Sequence, residues 1–405
     1  MFANLAQAEA FLTSRGQYGI KPGLDRVEQL LQASGNPERR TKNIHIAGTN
    51  GKGSTATYLA RALTANGWKT GSFISPTPGG YLESIQVDGK WITEEDFVAA
   101  CNALLPKIKE MDNVKNHPSE FEIHVCIAFS YLAQHAEINV VEAGMGGRGD
   151  ATNVLQPTLS IITNIGFDHQ RFLGNTIAAI AEEKAGIIKS GAPVISAVTQ
   201  EEAKTVIMQH AIAAGVSVKW ISARDAHRLQ VDLKMKGTHQ KMNAAVAMAA
   251  CRVLQEAGIA LDDAKVERAI SEAQLPGRFE QVKSEPRIIL DGAHNAEGMQ
   301  AFIQTVKEEF PDKKVCVLFS AFKDKPFAEM IEQLTKITSH ITLTIFDHPR
   351  SVDMATLKET CPAAETVLDW KGYIKQIHES YQSDTIYFVT GSLHFIDQVR
   401  KYIVE

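Results

Sequence analysis

The sequence predicts an α/β protein built from two mostly parallel β-sheets, each flanked by helices. Three observations support this fold class. Strand-like runs alternate with helical segments along most of the 405 residues, several strands end in loops rich in Gly, Asn and Asp, and a Pro-Gly break at residues 275–280 divides the alternation into two series. Such alternation is typical of doubly wound parallel sheets. We therefore expect two domains, residues 1–277 and 278–405, with the boundary near 276–284.

Hydrophobic periodicity predicts the elements of the first domain. Apolar residues at helical spacing indicate amphipathic helices over residues 3–14 and 24–34. A strand at 43–47 leads through a glycine-rich loop to a helix at 54–66 and a strand at 70–74, which is the repeating unit of a parallel sheet. The remaining elements follow in chain order: helix 121–135, strands 138–142 and 159–165, helix 177–184, strand 193–197, a locally β-rich stretch at 215–235, and helix 239–257.

A fresh alternation begins after the Pro-Gly break and predicts the second domain of about 120 residues, a normal size for one α/β unit. The expected strands are 288–290, 314–319, 341–345 and 385–390, and the expected helices are 298–310, 327–337 and 392–402.

Composition excludes several classes of protein. Hydrophobic residues make up 44% and charged residues 22% of the chain, so it can bury a large core and is neither disordered nor fibrous. The formal charge of −5 argues against a nucleic-acid binder. The cysteines are scattered without metal-ligand spacing, which indicates reduced thiols. We find neither a signal peptide nor an apolar stretch that could span a bilayer, and we expect a cytoplasmic protein without nucleic-acid or membrane partners.

The strongest motif is GTNGKGS at residues 48–54, between a predicted strand and a predicted helix. Glycines let backbone N–H groups approach an anion, the helix N-terminus adds positive potential, and Lys52 would neutralise phosphate charge. Gly53 follows the lysine directly and Ser54 comes one residue later, so the usual Mg²⁺-binding hydroxyl is displaced. The first domain is thereby predicted to be of the P-loop ATPase type, and the second to be a smaller, Rossmann-like α/β domain.

Other polar residues follow the ends of predicted strands, where ligands bind to parallel sheets. Glu142 precedes the glycine-rich run 144–149, and a carboxylate there suits Mg²⁺. His169 follows the strand at 159–165 and is favoured as a ligand or acid–base group. Spacing alone favours a solvated helix end for Lys184. Asp291 and His294 close a strand of the second domain near Arg278, and each taken alone is more often structural than functional.

Taken together, these motifs resemble one family. GTNGKGS, EAGMGGRGDATN, ITNIGFDHQRFLGNT, IAEEKAGIIKSG, HQKMNAAVA, PGRFE and LDGAHN occur in the order seen in folylpolyglutamate synthases and bifunctional dihydrofolate synthases, and AFKDKP and VTGSLHFIDQVR are similar as well. The resemblance runs from about Tyr18 to Tyr402. GTNGKGS alone would not separate this family from its relatives, the Mur peptide ligases.

The resemblance implies an ATP-dependent amide ligase. A folate-type carboxylate would attack the γ-phosphate of ATP, and the amine of L-glutamate would then attack the acyl phosphate. Ser75, Glu142 and His169 resemble ligands of paired Mg²⁺ ions, and Lys184 matches a lysine that is carbamylated in the family, which reverses its interpretation as a solvated helix end. Lys52, Lys184 and His169 would be catalytic. The implied nucleotide-binding residues are Thr49, Asn50, Gly51, Lys52, Gly53, Ser54, Asn243, Arg278, Asp291 and His294.

One region departs from the family pattern. After Ser75-Pro76 the family usually has His-Leu, and later Glu-Arg-Ile, whereas this chain has Thr77 at the His position and Ser84 at the Arg position. The acceptor therefore stays open between dihydropteroate, a reduced folate, both, or a related compound. We expect a monomer that binds ATP, L-glutamate and one of these acceptors.

Two alternatives remain open. A Mur-type ligase could act on another carboxylate, although the 47 residues before Gly48 are too few for the UDP-sugar domain that those enzymes often carry. A nucleotide-dependent switch protein could close its domains without ligation, but the DGAHN and EKAGI motifs would then have no obvious role.

Overall fold

The computed structural model describes residues 1–77 and 79–404 and contains two compact units. The first unit comprises Met1–Asp232 and Lys241–Ala273, and the second comprises Leu233–Gln240 and the chain from Gln274 onward. Throughout the described part of the chain, every helix is too short or too polar to traverse a lipid bilayer.

An eight-stranded sheet organises the first unit, in the order β4-β3-β2-β5-β1-β6-β7-β8. Its strands are β1 (Lys42–Ala47), β2 (Thr70–Phe73), β3 (Ile85–Val87), β4 (Lys90–Trp91), β5 (Ile138–Glu142), β6 (Leu159–Ile162), β7 (Val194–Ser196) and β8 (Val218–Trp220). Six strands pair in parallel, in the spatial order β2, β5, β1, β6, β7 and β8. Strands β3 and β4 add an antiparallel edge beside β2.

Helices cover both faces of this sheet. They are α1 (Leu5–Ser14), α2 (Asp25–Ala33), α3 (Lys52–Ala65), α4 (Gly80–Glu83), α5 (Glu94–Asn113), α6 (Glu120–His135), α7 (Gln170–Leu173), α8 (Ile177–Ala185), α9 (Glu201–Ala214), α10 (Ala223–His227), α11 (Thr238–Glu256) and α12 (Asp263–Glu272). One core joins α1, α2, α5 and α6 to β2, β3 and β5, and another joins α8 and α9 to β6 and β7. Because helices bury both faces, the central strands are apolar almost throughout.

A six-stranded sheet organises the second unit, in the order β13-β12-β11-β14-β10-β9. Its strands are β9 (Glu280–Ser284), β10 (Arg287–Asp291), β11 (Lys314–Phe319), β12 (His340–Thr344), β13 (Glu365–Val367) and β14 (Thr385–Thr390). Only β9 pairs antiparallel among these described strands. The helices are α13 (Ala296–Glu309), α14 (Phe327–Leu334), α15 (Met354–Thr360), α16 (Trp370–Ser380) and α17 (Leu393–Val404).

These sheets confirm the predicted fold class. The strands expected at 138–142, 314–319 and 385–390 occupy those same residues, and most other predicted elements differ only at their ends. The β-rich interpretation of 215–235 is wrong: β8 is short and α10 follows it. Ser222 and Asp225 form a reciprocal cap at the start of α10, which favours the helix over an extended strand. The sequence analysis also missed α5, which Thr93 caps.

Candidate functional site

The carboxyl ends of three neighbouring strands bring the candidate residues of the first unit to one edge of the sheet. Strand β1 lies beside β5, with Ile46 paired with Glu142. Strand β2 lies on the other side of β5, with Phe73 paired with Val141. The loop that follows β1, the Glu142 side chain and the segment containing Ser75 therefore emerge side by side.

The loop of residues 48–51 has a backbone that requires glycine at both ends. Gly48 has a φ of 154°, and a Cβ atom there would lie 1.9 Å from Thr163 Oγ1. Gly51 has a φ of 84°, and its Cβ would lie 2.3 Å from Asn243 Oδ1. Since an L side chain would be strained and blocked at both positions, the loop can run close to its neighbours only with glycine there. The second contact also places Asn243 beside the loop.

The end of β6 fixes the other side of this loop. Asn50 N donates to Asn164 Oδ1 at 2.7 Å, and Thr163 Oγ1 donates to Asn50 O at 2.7 Å. Thr49 Oγ1 donates to Gly166 O at 3.0 Å and accepts from Gly166 N at 2.9 Å. The sequence analysis missed Thr163 and Asn164, although the strand-end position of the motif TNIG was a signal that could have identified them.

Two lysine ammonium groups meet on one carbonyl oxygen of the loop. Lys52 Nζ donates to Gly48 O at 3.0 Å and to Thr49 O at 3.3 Å, and it lies 3.7 Å from Glu142 Oε1. Lys184 Nζ donates to the same Gly48 O at 2.8 Å. Lys184 is only 3% exposed, so the solvated helix end that spacing favoured is wrong.

Burial makes the ammonium ion of Lys184 lose its proton more readily than an exposed lysine does. The pKa of Lys184 falls from 10.5 to about 7, chiefly because burial removes solvent and also because the Lys52 cation lies nearby, while Asp168 and Asp150 oppose the shift. A large fraction of this amine is therefore neutral near pH 7. A neutral amine is nucleophilic, whereas an ammonium ion is not.

The glycine-rich run after β5 closes over the end of α8 and covers Lys184. Arg148 N donates to Glu183 O at 2.7 Å. A Cβ on Gly147 would lie 2.8 Å from the carbonyl oxygens of Glu183 and Lys184, and a Cβ on Gly186 would lie 2.5 Å from Arg148 Cα. Only glycines allow this approach of two backbones, which explains why distant glycine-containing motifs bury one lysine.

A buried polar chain supports the same run. Asp150 accepts from Met145 N at 2.8 Å, from Thr152 N at 3.0 Å and from Thr152 Oγ1 at 2.5 Å. His45 Nε2 lies 2.8 Å from Thr152 Oγ1, and burial lowers the pKa of His45 to about 3. A neutral His45 therefore donates to Thr152, which donates to Asp150. Sequence reasoning selected none of these three residues for the site.

His169 lies on the segment that follows β6. It precedes α7 with a φ of 51°, its side chain is 38% exposed, and its Nε2 lies 3.8 Å from Asp168 Oδ2. Its position after β6 still leaves it at the carboxyl edge of the sheet.

Ser75 and Glu142 fit a hard cation. Ser75 Oγ is buried without a hydrogen-bond partner in the described structure, and Glu142 is 6% exposed. Within residues 1–77 and 79–404, no group of three or more His, Cys, Asp or Glu side chains could hold a metal. Mg²⁺ does not need such a group, because it takes a few oxygen ligands from the protein and keeps water in its other positions.

The second unit brings its own three candidates together. Asp291 accepts from Phe279 N at 3.0 Å and from Ala293 N at 2.9 Å, and burial raises the pKa of Asp291 to about 6. His294 Nδ1 donates to Gly292 O at 2.8 Å. A Cβ on Gly292 would lie 2.5 Å from Arg278 Nη1, so the guanidinium group packs on this glycine.

Comparison with known proteins places this geometry in context. Residues 46–222 match the Mur ligase middle domain, and residues 277–393 match the Mur ligase glutamate ligase domain. The chain is 37% identical to the dihydrofolate synthase/folylpolyglutamate synthase of Bacillus subtilis, over 99% of both chains. It is 32% identical to the protein of that name from Mycobacterium tuberculosis, over 88% of this chain and 81% of the relative.

Solved structures agree with these sequence matches. The M. tuberculosis folylpolyglutamate synthase complexed with ADP and AMPPCP has a TM-score of 0.88 at 28% identity, over 99% of this chain and 98% of that one. The Thermotoga maritima folylpolyglutamate synthase has a TM-score of 0.85 at 30% identity, over 98% and 96%. E. coli FolC in complex with DHPP and ADP has a TM-score of 0.87 at 25% identity, over 99% and 98%.

Proposed function

The chain belongs to the dihydrofolate synthase/folylpolyglutamate synthase family, and from that premise we propose the roles of its site residues. It is an ATP-dependent ligase that joins L-glutamate to a folate-type carboxylate. The observation that carries the assignment of roles is the meeting of Lys52 and Lys184 on Gly48 O, beside Glu142.

The loop between β1 and α3 binds the triphosphate of ATP in this proposal. Its glycines allow close approach of an anion, and α3 directs its N-terminus at the bound phosphates. When ATP binds, the Lys52 ammonium group leaves the Gly48 and Thr49 carbonyl oxygens and donates to phosphate oxygens instead. The proposed nucleotide-binding residues are Thr49, Asn50, Gly51, Lys52, Gly53, Ser54 and Asn243 of the first unit, and Arg278, Asp291 and His294 of the second.

The reaction then proceeds in two displacements. A carboxylate oxygen of the acceptor attacks the γ-phosphorus, and the bond to the bridging oxygen breaks to release ADP. The free amine of L-glutamate attacks the acyl carbon, the carbon–oxygen bond to phosphate breaks, and the amine loses its proton to leave an amide and phosphate. Lys52 stabilises the charge that builds on the transferred phosphoryl group.

Ser75 and Glu142 would hold one Mg²⁺ ion, and His169 would hold a second. When bound, Mg²⁺ neutralises phosphate charge and polarises the phosphoryl oxygens. The orphaned Ser75 hydroxyl and the buried Glu142 carboxylate support this assignment, because both supply the hard oxygen donors that the ion prefers. His169 would supply its imidazole from the segment after β6.

Lys184 is proposed to carry a carbamate. Its neutral amine adds to CO₂, so a carbon–nitrogen bond forms and one proton is released, and the product is a carboxylate on a long arm. Two features of the structure support this step. Burial keeps much of the amine neutral near pH 7, and the Lys52 cation beside it would stabilise the new anion.

A coupled assay tests the ligase function and separates it from the alternatives. Purified protein is supplied with Mg-ATP, L-glutamate, and either dihydropteroate or tetrahydrofolate. We expect ADP release that requires both acceptor and glutamate, together with an amide product detected by mass spectrometry. ADP release without any dependence on acceptor and glutamate would refute the ligase. Nucleotide binding without an amide product would instead indicate a switch protein.

We further propose that residues 1–277 form the ATP-binding domain and 278–405 the C-terminal ligase domain. We also propose a monomer that acts in the cytoplasm without nucleic-acid or membrane partners. Light scattering of the purified protein at assay concentration measures the oligomeric state, and a stable dimer would overturn that part of the proposal.

A further inference from the structure

Arg278 lies in a turn whose backbone is unusual at the two residues that flank it. We call residues 275–280 the Arg278 turn. Gly277 has a φ of 71°, and Phe279 has a φ of 49°. Glycine adopts such a φ freely, but a bulky residue there is strained, and the surrounding structure must hold it in place. The contacts of Gly277 and Phe279 therefore fix the point from which the Arg278 side chain leaves the backbone.

The core of the second unit holds Phe279. Its backbone N donates to Asp291 Oδ2 at 3.0 Å, and the residue is 9% exposed. Its ring packs against three other aromatic rings, with centroid distances of 6.2 Å to Phe302, 6.3 Å to Phe310 and 5.7 Å to Phe388. Burial of the ring offsets the backbone strain. One side of the Arg278 turn is thus anchored in the core.

A carboxylate at the start of β9 holds the other side of the turn. Gly277 N donates to Glu280 Oε2 at 2.8 Å. Arg400, on α17, donates to both oxygens of this carboxylate, because its Nε lies 3.0 Å from Oε1 and 3.1 Å from Oε2. The Arg400 and Glu280 side chains are 27% and 23% exposed, so water screens this pair less than it screens a fully exposed pair. Arg400 therefore holds Glu280 where it accepts from Gly277.

Gly277 connects this ion pair to the Arg278 side chain. Gly277 O accepts from Gly292 N at 2.9 Å and from Arg278 Nη1 at 3.4 Å. The same Nη1 would lie 2.5 Å from a Cβ on Gly292. The guanidinium group thus lies between Gly277 O and the backbone of Gly292. Because Glu280 fixes the N–H of Gly277, a shift of Glu280 would move the surface on which the guanidinium group packs.

Arg400 also controls the charge beside Arg278. Glu280 comes two residues after Arg278 and is the acidic residue nearest to it in the sequence. Since Arg400 takes both oxygens of Glu280, this carboxylate pairs with α17 and not with the preceding guanidinium group. An arginine that binds phosphate needs its N–H groups for that ligand. Loss of Arg400 would free a carboxylate that competes with phosphate for Arg278.

We propose that Glu280 and Arg400 are positioning residues that hold Arg278 in its nucleotide-binding orientation. They act through the Arg278 turn and not by contact with ATP. This inference rests on the proposed function, in which Arg278 binds the nucleotide. Changes at Glu280 and Arg400 should therefore weaken ATP binding only while Arg278 is present.

A double-mutant cycle tests this dependence. Calorimetry on the full-length protein with Mg²⁺ measures the Kd of AMPPCP, a non-hydrolysable ATP analogue. We expect Arg400→Met and Glu280→Ala each to raise this Kd by about three- to tenfold, and Arg278→Ala to raise it by at least as much. In the Arg278→Ala background, the further change Arg400→Met should alter the Kd by less than about twofold.

Two further variants separate positioning from a general loss of charge or fold. Lys401 follows Arg400 on α17, and its Nζ lies 2.9 Å from Asp397 Oδ2. Lys401→Met therefore removes the same charge from the same helix, and we expect a Kd close to that of the wild type. Glu280→Gln keeps an acceptor for Gly277 N but loses the ion pair, so its Kd should lie between those of the wild type and Glu280→Ala. Thermal unfolding checks that each variant is folded.

Each contrary result has its own meaning. If Arg278→Ala weakens binding but Arg400→Met and both Glu280 variants do not, the inference is wrong while the proposed role of Arg278 stands. An equal effect of Arg400→Met with and without Arg278 would also refute the inference, because it would show an effect that does not pass through Arg278. If Arg278→Ala binds AMPPCP as tightly as the wild type, the proposed role of Arg278 and the inference both fail.

Discussion

Lys52 and Lys184 donate to the same carbonyl oxygen, that of Gly48, at 3.0 Å and 2.8 Å. Two ammonium ions that share one acceptor repel each other, and one of them is buried. Lys184 is the buried one, and its pKa falls to about 7, so it loses its proton more readily. Lys52 lies near the Glu142 carboxylate. The contact therefore assigns different chemistry to two residues of the same type.

Replacing Lys52 with Ala tests its role toward phosphate. The substitution removes the cation that opposes charge on the transferred phosphoryl group, and we expect kcat to fall by at least about a hundredfold. Glutamate-dependent ADP release measures the rate, and circular dichroism checks that the fold is retained. Near-normal turnover would remove the phosphate-loop assignment.

Gly51 and Gly67 form a matched pair for testing the loop. Both have positive φ, 84° and 90°, but a Cβ on Gly51 would meet Asn243 at 2.3 Å, whereas nothing lies within 4 Å of one on Gly67. We expect each change to Ala to cost about 1 kcal/mol of stability through backbone strain. Only Gly51→Ala should weaken ATP binding, measured by calorimetry. Equal ATP affinity in the two variants would show that Asn243 and the loop need not pack closely.

The pH dependence of stability follows from the lowered pKa of Lys184. Between pH 10.5 and about 7, the unfolded chain binds a proton at this lysine that the folded chain lacks. The free energy of unfolding should therefore rise with pH across this window, by at most about 1.4 kcal/mol per pH unit. Urea denaturation in CO₂-free buffer measures it, and Lys184→Met should lack this contribution. Identical pH profiles for the two proteins would show that Lys184 is not buried as an amine.

If Lys184 carries the proposed carbamate, the activity depends on dissolved CO₂. We expect ligase activity to fall in CO₂-depleted buffer and to return when bicarbonate is added, with a modification that acid removes. The neutral amine is the reactive form, so reactivation should weaken as pH drops below about 7. Native mass spectrometry after labelled bicarbonate detects the group. An active protein that never gains this mass would exclude the carbamate.

Local sequence patterns were sufficient to predict the fold class and the strand ends. Strand β5 ends at Glu142 as predicted, because its apolar residues are followed by a glycine-rich run that marks the end of the strand. The loop at Gly48 was also predictable, since strand, glycines, lysine and helix adjoin in sequence.

Contacts between distant segments could not be predicted in this way. The burial of Lys184 depends on Gly147 and Gly186, which let two backbones touch across a long stretch of chain. His45 and Thr152 are 107 residues apart, and neither belongs to a charged pattern. The contact between Thr77 and Ser84 depends on a turn whose shape the composition does not specify.

The hydrogen bond from Asn50 N to Asn164 Oδ1 separates two parts of the loop: the part around Asn50, which the protein itself holds, and the part at the start of α3. That amide is already satisfied by the protein, so it contributes rigidity and not recognition. The helical ladder of α3 begins only with Thr55 N donating to Gly51 O. The first turn of α3 therefore lies at a helix N-terminus, where the backbone favours a negatively charged ligand. In the proposed function, the triphosphate therefore meets the start of α3, while the Asn50 amide holds the loop in place.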